Sequence, residues 1–252
     1  MVVGIDFGTT FTGVAYAQSG SINLALGSSK IADKVIIIRG WPGANSQAEK
    51  TPTILSYHTS PPTWGAKVKT NDGLQVSRFK LGLQENIEDH YSNCVQGLND
   101  ELPEGSLSSR YWSHPLLPQK KPLDYVADYL TCVCQYVLND RLPRQFGSEF
   151  LQNQQISYVL TVPAIWSEKA KELTREAALR AGVPRRDLTL ITEPEAAALY
   201  CATLCNEVDL HIGDRFLVCD AGGGTVVCLS SVFSDSIGSY ILWCGQESPF
   251  RY

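Results

Sequence analysis

The feature that most constrains this chain is a strand, turn and strand that occurs twice. The first copy is Val2-Val3-Gly4-Ile5-Asp6-Phe7-Gly8-Thr9-Thr10, followed at once by Phe11-Thr12-Gly13-Val14-Ala15-Tyr16-Ala17. An apolar run ending in an acid, a glycine turn and a second apolar run predict two antiparallel strands joined by a short loop. Gly8 lets backbone approach a ligand closely, the N–H groups of the turn can converge on an anion, and the hydroxyls of Thr9 and Thr10 add donors. Asp6 would repel a bare phosphate but suits one that arrives with Mg2+, which keeps its waters and takes few carboxylates. Taken alone, the motif fits an ordinary hairpin equally well. The second copy, Phe216-Leu217-Val218-Cys219-Asp220-Ala221-Gly222-Gly223-Gly224-Thr225-Val226-Val227, breaks the tie. A repeated hairpin predicts two similar lobes, each offering a phosphate turn and an acid to a shared cleft, with a Mg-nucleotide as ligand. Neither G-x-x-x-x-G-K-[ST] nor G-x-G-x-x-G in a strand-to-helix setting occurs, which disfavours P-loop and Rossmann readings.

Gly4 to Thr10 resembles the first phosphate motif of the actin-like ATPases, and Asp220 to Thr225 resembles the second. Between them, Thr161-Val162-Pro163-Ala164 and Ile191-Thr192-Glu193-Pro194-Glu195-Ala196-Ala197-Ala198 are similar to segments of the 70-kDa heat-shock protein (DnaK-type) branch, and the wording is closest to a divergent fungal and animal subgroup. The resemblance implies an α/β fold: an actin-like, ribonuclease H-like lobe with a mixed five-stranded sheet and helices, plus the start of a second lobe. It places a first lobe at residues 1–212, with an outer subdomain at about 30–121, and an incomplete second lobe at 213–252. It implies ATP or ADP with Mg2+ as cofactors. Gly8, Thr9, Thr10, Gly222, Gly223, Gly224 and Thr225 would cradle the phosphates, and Asp6 and Asp220 would serve the metal. Glu193, Asp220 and Lys67 would serve catalysis, with Lys67 in a Gly-x-Ala-Lys segment whose lysine reaches the γ-phosphate. An exposed surface lysine is the competing reading of Lys67. For Glu193 it is a helix N-terminal acid, worth roughly 0.3 to 1 kcal/mol through the macrodipole. Phe79-Lys80-Leu81 resembles another family segment and reads as structural. Pro163 and Lys171 match a proline and an arginine that relay nucleotide state in the family, and Lys171 lacks the planar guanidinium fork.

Two departures from the family pattern bear on function. Its second hairpin continues Gly-Gly-Gly-Thr-x-Asp, where the Asp holds magnesium through water, and this chain has Val227 there. Little sequence follows Asp220, so a truncated product is expected, with ATP binding retained and hydrolysis impaired. Two alternatives stand beside an ATP-dependent chaperone homologue. One is a non-catalytic protein that binds partners or itself through exposed strands in 226–244, and the other a non-functional truncated product.

Composition sets the outer bounds. The 252 residues are 44% hydrophobic and 19% charged, the balance of a globular protein. A net charge of −5 argues against a nucleic-acid surface, and no apolar run reaches the roughly 18 residues of a membrane span. A cytoplasmic location is expected from the absence of a signal segment. The eight cysteines fit free thiols better than a disulfide framework or a zinc site, and His58, His90, His114 and His211 fall in expected loops. Strands are expected at 22–26, 35–38, 51–57, 156–162, 188–192, 226–232 and 239–244. Helices are expected from Pro122, from an N-cap at Ser167 to a stop at Gly182, and from Pro194. Residues 84–121 read as loops and short helices.

Overall fold

A computed structural model describes residues 1–18, 35–70, 72, 75–84, 120–204, 214–221, 226–232 and 243–245. The expected strand at 22–26, most of the 84–121 segment, His90, His114, His211 and the turn Gly222 to Thr225 lie outside the described residues.

The repeated motif forms the hairpin its sequence predicts. Strand β1, Val2–Phe7, pairs antiparallel with β2, Phe11–Ala17, from Val2 opposite Ala17 to Phe7 opposite Thr12. Alternation along β1 buries Val3, Ile5 and Phe7 and leaves Val2, Gly4 and Asp6 on the more open face. The outer edge of β2 is shared by β3, Ile36–Ile37, and β4, Lys50–Pro52. A single strand at 51–57 was the sequence expectation, and the structure divides it into β4 and β5, Ile54–Ser56. The divider is Thr53, whose N–H donates to the Thr10 carbonyl at 2.8 Å and whose hydroxyl donates to the Gly8 carbonyl at 2.9 Å. Those bonds tie the chain to the first turn, and β5 leaves to pair with β6, Thr63–Trp64, and β7, Gln75–Ser77, in a separate three-stranded sheet.

On the other side of β1 run two parallel strands, β8, Ser157–Val162, and β9, Leu188–Thr192. The main sheet therefore has the order β3-β2-β1-β8-β9, with β4 as a sixth strand on β2. Parallel pairing demands a crossover, and helix α1, Pro122–Tyr136, belongs to the connection that leads into β8. Its expected apolar stripe is buried at Val126, Ala127, Leu130, Val133, Cys134 and Val137. Tyr125 and Tyr129, adjoining that stripe, are buried as well. Tyr129 packs against Phe7 and Phe79 with ring centroids 6.1 and 5.7 Å away, joining helix, strand and the 3-10 turn Phe79–Leu83. The helix passes through a π turn, Val137–Arg141, into two short helices, α2, Leu142–Phe146, and α3, Ser148–Gln152.

Between β8 and β9 lies α4, Glu168–Arg180, which packs on α1. Ser167 caps it by accepting from the Ala170 N–H at 3.2 Å, and Gly182, at φ +93°, ends the turn in the left-handed region. Helix α5, Glu193–Leu204, follows β9 without a break. The second motif copy lies in a third sheet, β10-β11-β12, comprising Arg215–Ala221, Val226–Val232 and Trp243–Gly245. The hairpin β10–β11 has Asp220 opposite Val227, the counterpart of Asp6 opposite Gly13 in the first copy.

Candidate functional site

The site gathers where β1, β8 and β9 end, the side of an α/β sheet on which ligands bind. Gly8 makes the first turn possible. A Cβ there would lie 2.3 Å from the Phe11 carbonyl oxygen, to which the Gly8 N–H donates at 3.1 Å, so only glycine closes the turn. Thr9 and Thr10 are half-buried at its tip, and Thr53 braces it from β4's end while sharing a hydrogen bond with the buried Thr12 hydroxyl at 2.9 Å.

Behind the turn sits Lys80, with only 2% of its side chain exposed. Its ammonium donates to the Phe7 carbonyl and to Glu193 Oε1, the latter at 2.6 Å. It also lies 5.2 Å from the Phe7 ring centroid and 5.5 Å from that of Trp166, near enough for both aromatic faces to stabilise the charge. Lysine carries three N–H donors, and the contacts among described residues use two. Glu193 is available to Lys80 because Glu195 does the capping of α5. Its Oε2 accepts from the Thr192 N–H at 3.4 Å, and its own N–H donates to the Thr192 hydroxyl at 3.3 Å. Glu193 thus engages a cation across the sheet end, beyond any macrodipole role.

Asp6 lies at the end of β1 with its carboxylate divided. Oδ1 accepts from the Thr161 hydroxyl of β8 at 3.3 Å, and Oδ2 is ion-paired with Lys50 Nζ at 2.7 Å. A divalent ion placed directly on Asp6 does not fit these side chains as they stand, because the ammonium takes the outer oxygen. Among the described residues, no cluster of three His, Cys, Asp or Glu side chains is arranged to hold a metal ion.

The expected residues divide into three groups. Asp6, Gly8, Thr9, Thr10 and Glu193 converge around the end of β1. Asp220 lies in β10, with its carboxylate and the turn 222–225 outside the described side chains and residues. Lys67 is exposed in the 3-10 turn Gly65–Lys67, which is tethered to β4 by the Ala66 N–H on Thr51, and among the described residues no ion pair joins it to Asp6 or Glu193. The lysine in contact with Glu193 is Lys80, whose Phe79-Lys80-Leu81 segment reads in the sequence as structural. Lys50 and Thr161 were not singled out either. The signals available for them were a charged residue beside the Thr-Pro-Thr of β4 and a hydroxyl just before the Val-Pro of β8.

The mixed sheet, glycine-threonine turn and acid-bearing strand ends define an α/β lobe of the actin-like ATPase kind. No family model matches the chain. Comparison with known proteins finds it similar to 70-kDa heat-shock proteins. It is similar to "Heat shock 70 kDa protein 12A" of Mus musculus, 27% identical over 227 residues that cover 81% of this chain and 29% of the relative. The protein of that name from Homo sapiens matches to the same extent. "Chaperone protein HscA homolog" of Acinetobacter baumannii (strain AYE) is 27% identical over 232 residues, covering 89% of the chain and 31% of the relative. The chain spans about three tenths of the length of these relatives. Among the described residues no helix is long and apolar enough to cross a membrane.

Proposed function

We propose that this chain binds a nucleotide, ATP or ADP, by its phosphates at the β1–β2 turn, as a 70-kDa-heat-shock-protein-like nucleotide-binding domain. The observation that carries the reading is Lys80. An ammonium 2% exposed, held by a backbone carbonyl and Glu193 beside a turn that requires glycine, is a costly arrangement for stability alone. Aimed at a phosphate oxygen, its third donor would form a charge-assisted hydrogen bond, with the N–H groups of residues 8–10 and the Thr9 and Thr10 hydroxyls completing the cradle. In this reading residues 1–212 are the first lobe and 213–252 contribute the start of a second, with Asp220, Gly222, Gly223, Gly224 and Thr225 as a second phosphate turn. Chaperone action is the wider activity the relatives' names suggest. Glu193, at the same strand end, would orient an attacking water, and Val227 opposite Asp220 argues for slow turnover.

Calorimetric titration of ATP into the purified chain tests this. Binding tighter than about 100 μM, more than roughly 5 kcal/mol, is expected, with loss in a Thr9→Ala/Thr10→Ala variant. A folded chain that releases no heat with ATP would overturn it. A second reading, association through residues 226–244, draws support from Leu217, 68% exposed on β10, the edge strand of its sheet among the described residues.

A further inference from the structure

Lys50 reaches Asp6 across an intervening strand, and the register shows how. Asp6 of β1 stands opposite Gly13 of β2, and Gly13 stands opposite Lys50 of β4, so the three residues form one row across the sheet. Neighbouring strands lie about 4.8 Å apart, and a lysine must cross the middle one to touch an acid two strands away. The middle residue has no side chain. A Cβ on Gly13 would stand 3.3 Å from Lys50 Cγ and 3.6 Å from its Cε, so the stem lies directly over the space that Gly13 leaves open. At the end of that path Nζ meets Asp6 Oδ2 at 2.7 Å, while Thr161 takes Oδ1.

Among the described side chains at the end of β1, the charges pair without a metal: Lys50 with Asp6, and Lys80 with Glu193. The second hairpin points the same way, since Val227, which can ligate nothing, stands opposite Asp220. We propose that Lys50 is the built-in counter-cation of this phosphate site. Resting on Asp6, it holds the position that an acid at this strand end would offer a divalent ion, and it turns to the phosphates when they bind. Both groups of the pair are about half exposed, at 54% and 45%, so the ammonium can swing without leaving water. The inference rests on the nucleotide reading above and adds that binding does not require a divalent cation.

The test is ATP titration of the whole chain in Mg2+ and in EDTA, for the wild type, Lys50→Met and Lys50→Arg. Wild-type affinity should change by less than about threefold between buffers, whereas Lys50→Met should lose about tenfold or more in EDTA and recover with Mg2+, now admitted to the vacated Asp6. Lys50→Arg, which keeps the charge, should remain metal-independent. A wild type that loses about tenfold or more in EDTA would overturn the role of Lys50 and leave the nucleotide site standing. Unchanged binding by Lys50→Met in EDTA would do the same. Absence of binding in both buffers would overturn the nucleotide reading and this inference with it. The wild-type arm decides the matter without any variant, should a substitution impair folding.

Discussion

Lys80 and Glu193 carry the heaviest electrostatic commitment at the site, so their substitutions are informative. Removing the lysine leaves the largely buried Glu193 carboxylate without its cation. Lys80→Met should therefore destabilise the fold by about 3 kcal/mol, read as a shift in the urea midpoint. Glu193→Gln in the Lys80→Met background should restore much of that loss, since a neutral pair of similar size is tolerated. If phosphate recognition depends on Lys80, the double variant will be folded and unable to bind ATP, which separates the two roles. Gly8 answers to geometry alone. Gly8→Ala forces a Cβ to 2.3 Å from the Phe11 carbonyl, so the turn must open. ATP affinity should fall at least tenfold, about 1.4 kcal/mol or more, with the far-ultraviolet spectrum unchanged.

Helix α1 and strand β8 bury several titratable groups whose acids are weakened. Burial pushes the Cys134 thiol up to about 12, burial with help from Asp128 pushes Cys132 up to about 11, and burial chiefly pushes the Tyr158 phenol up to about 12. Each folded value lies above its unfolded one, near 9.0 for Cys and 10.0 for Tyr. Their contribution to stability is therefore complete below about pH 9 and lost as pH rises toward the folded values. Denaturant midpoints should be level between about pH 7 and 9 and fall above that, and a midpoint unchanged to about pH 11 would contradict the packing described for α1. Tyr129 tests the same helix from another side. Its hydroxyl donates to the Pro52 carbonyl at 3.0 Å, and Tyr129→Phe should cost about 1 kcal/mol.

At this scale the sequence was most legible where period and punctuation agree. The hairpin of residues 2–17, the Ser167 cap, the Gly182 stop and the strands at 157–162 and 188–192 all follow from local pattern. Division of 51–57 at Thr53 did not, because its cause is a hydrogen bond to Thr10 more than forty residues earlier. Lys80 and Lys50 were illegible for a related reason. A lysine in a segment that reads as structural, or one beside Thr51, shows no partner until the fold brings Glu193 and Asp6 to it.

For the molecule as a whole, the three-stranded sheet of the second hairpin ends on β10, where Leu217 is exposed. If that edge associates, sedimentation velocity should show a weight-average mass that rises with concentration, and Leu217→Lys should suppress the rise. If phosphates are held at the end of β1, hydrogen exchange with and without ATP will register them there. Peptides covering residues 5–13 and 78–84 should gain protection with ATP, and those covering residues 122–136 in α1 should not change. Protection confined to other segments, or none at saturating ATP, would contradict that placement.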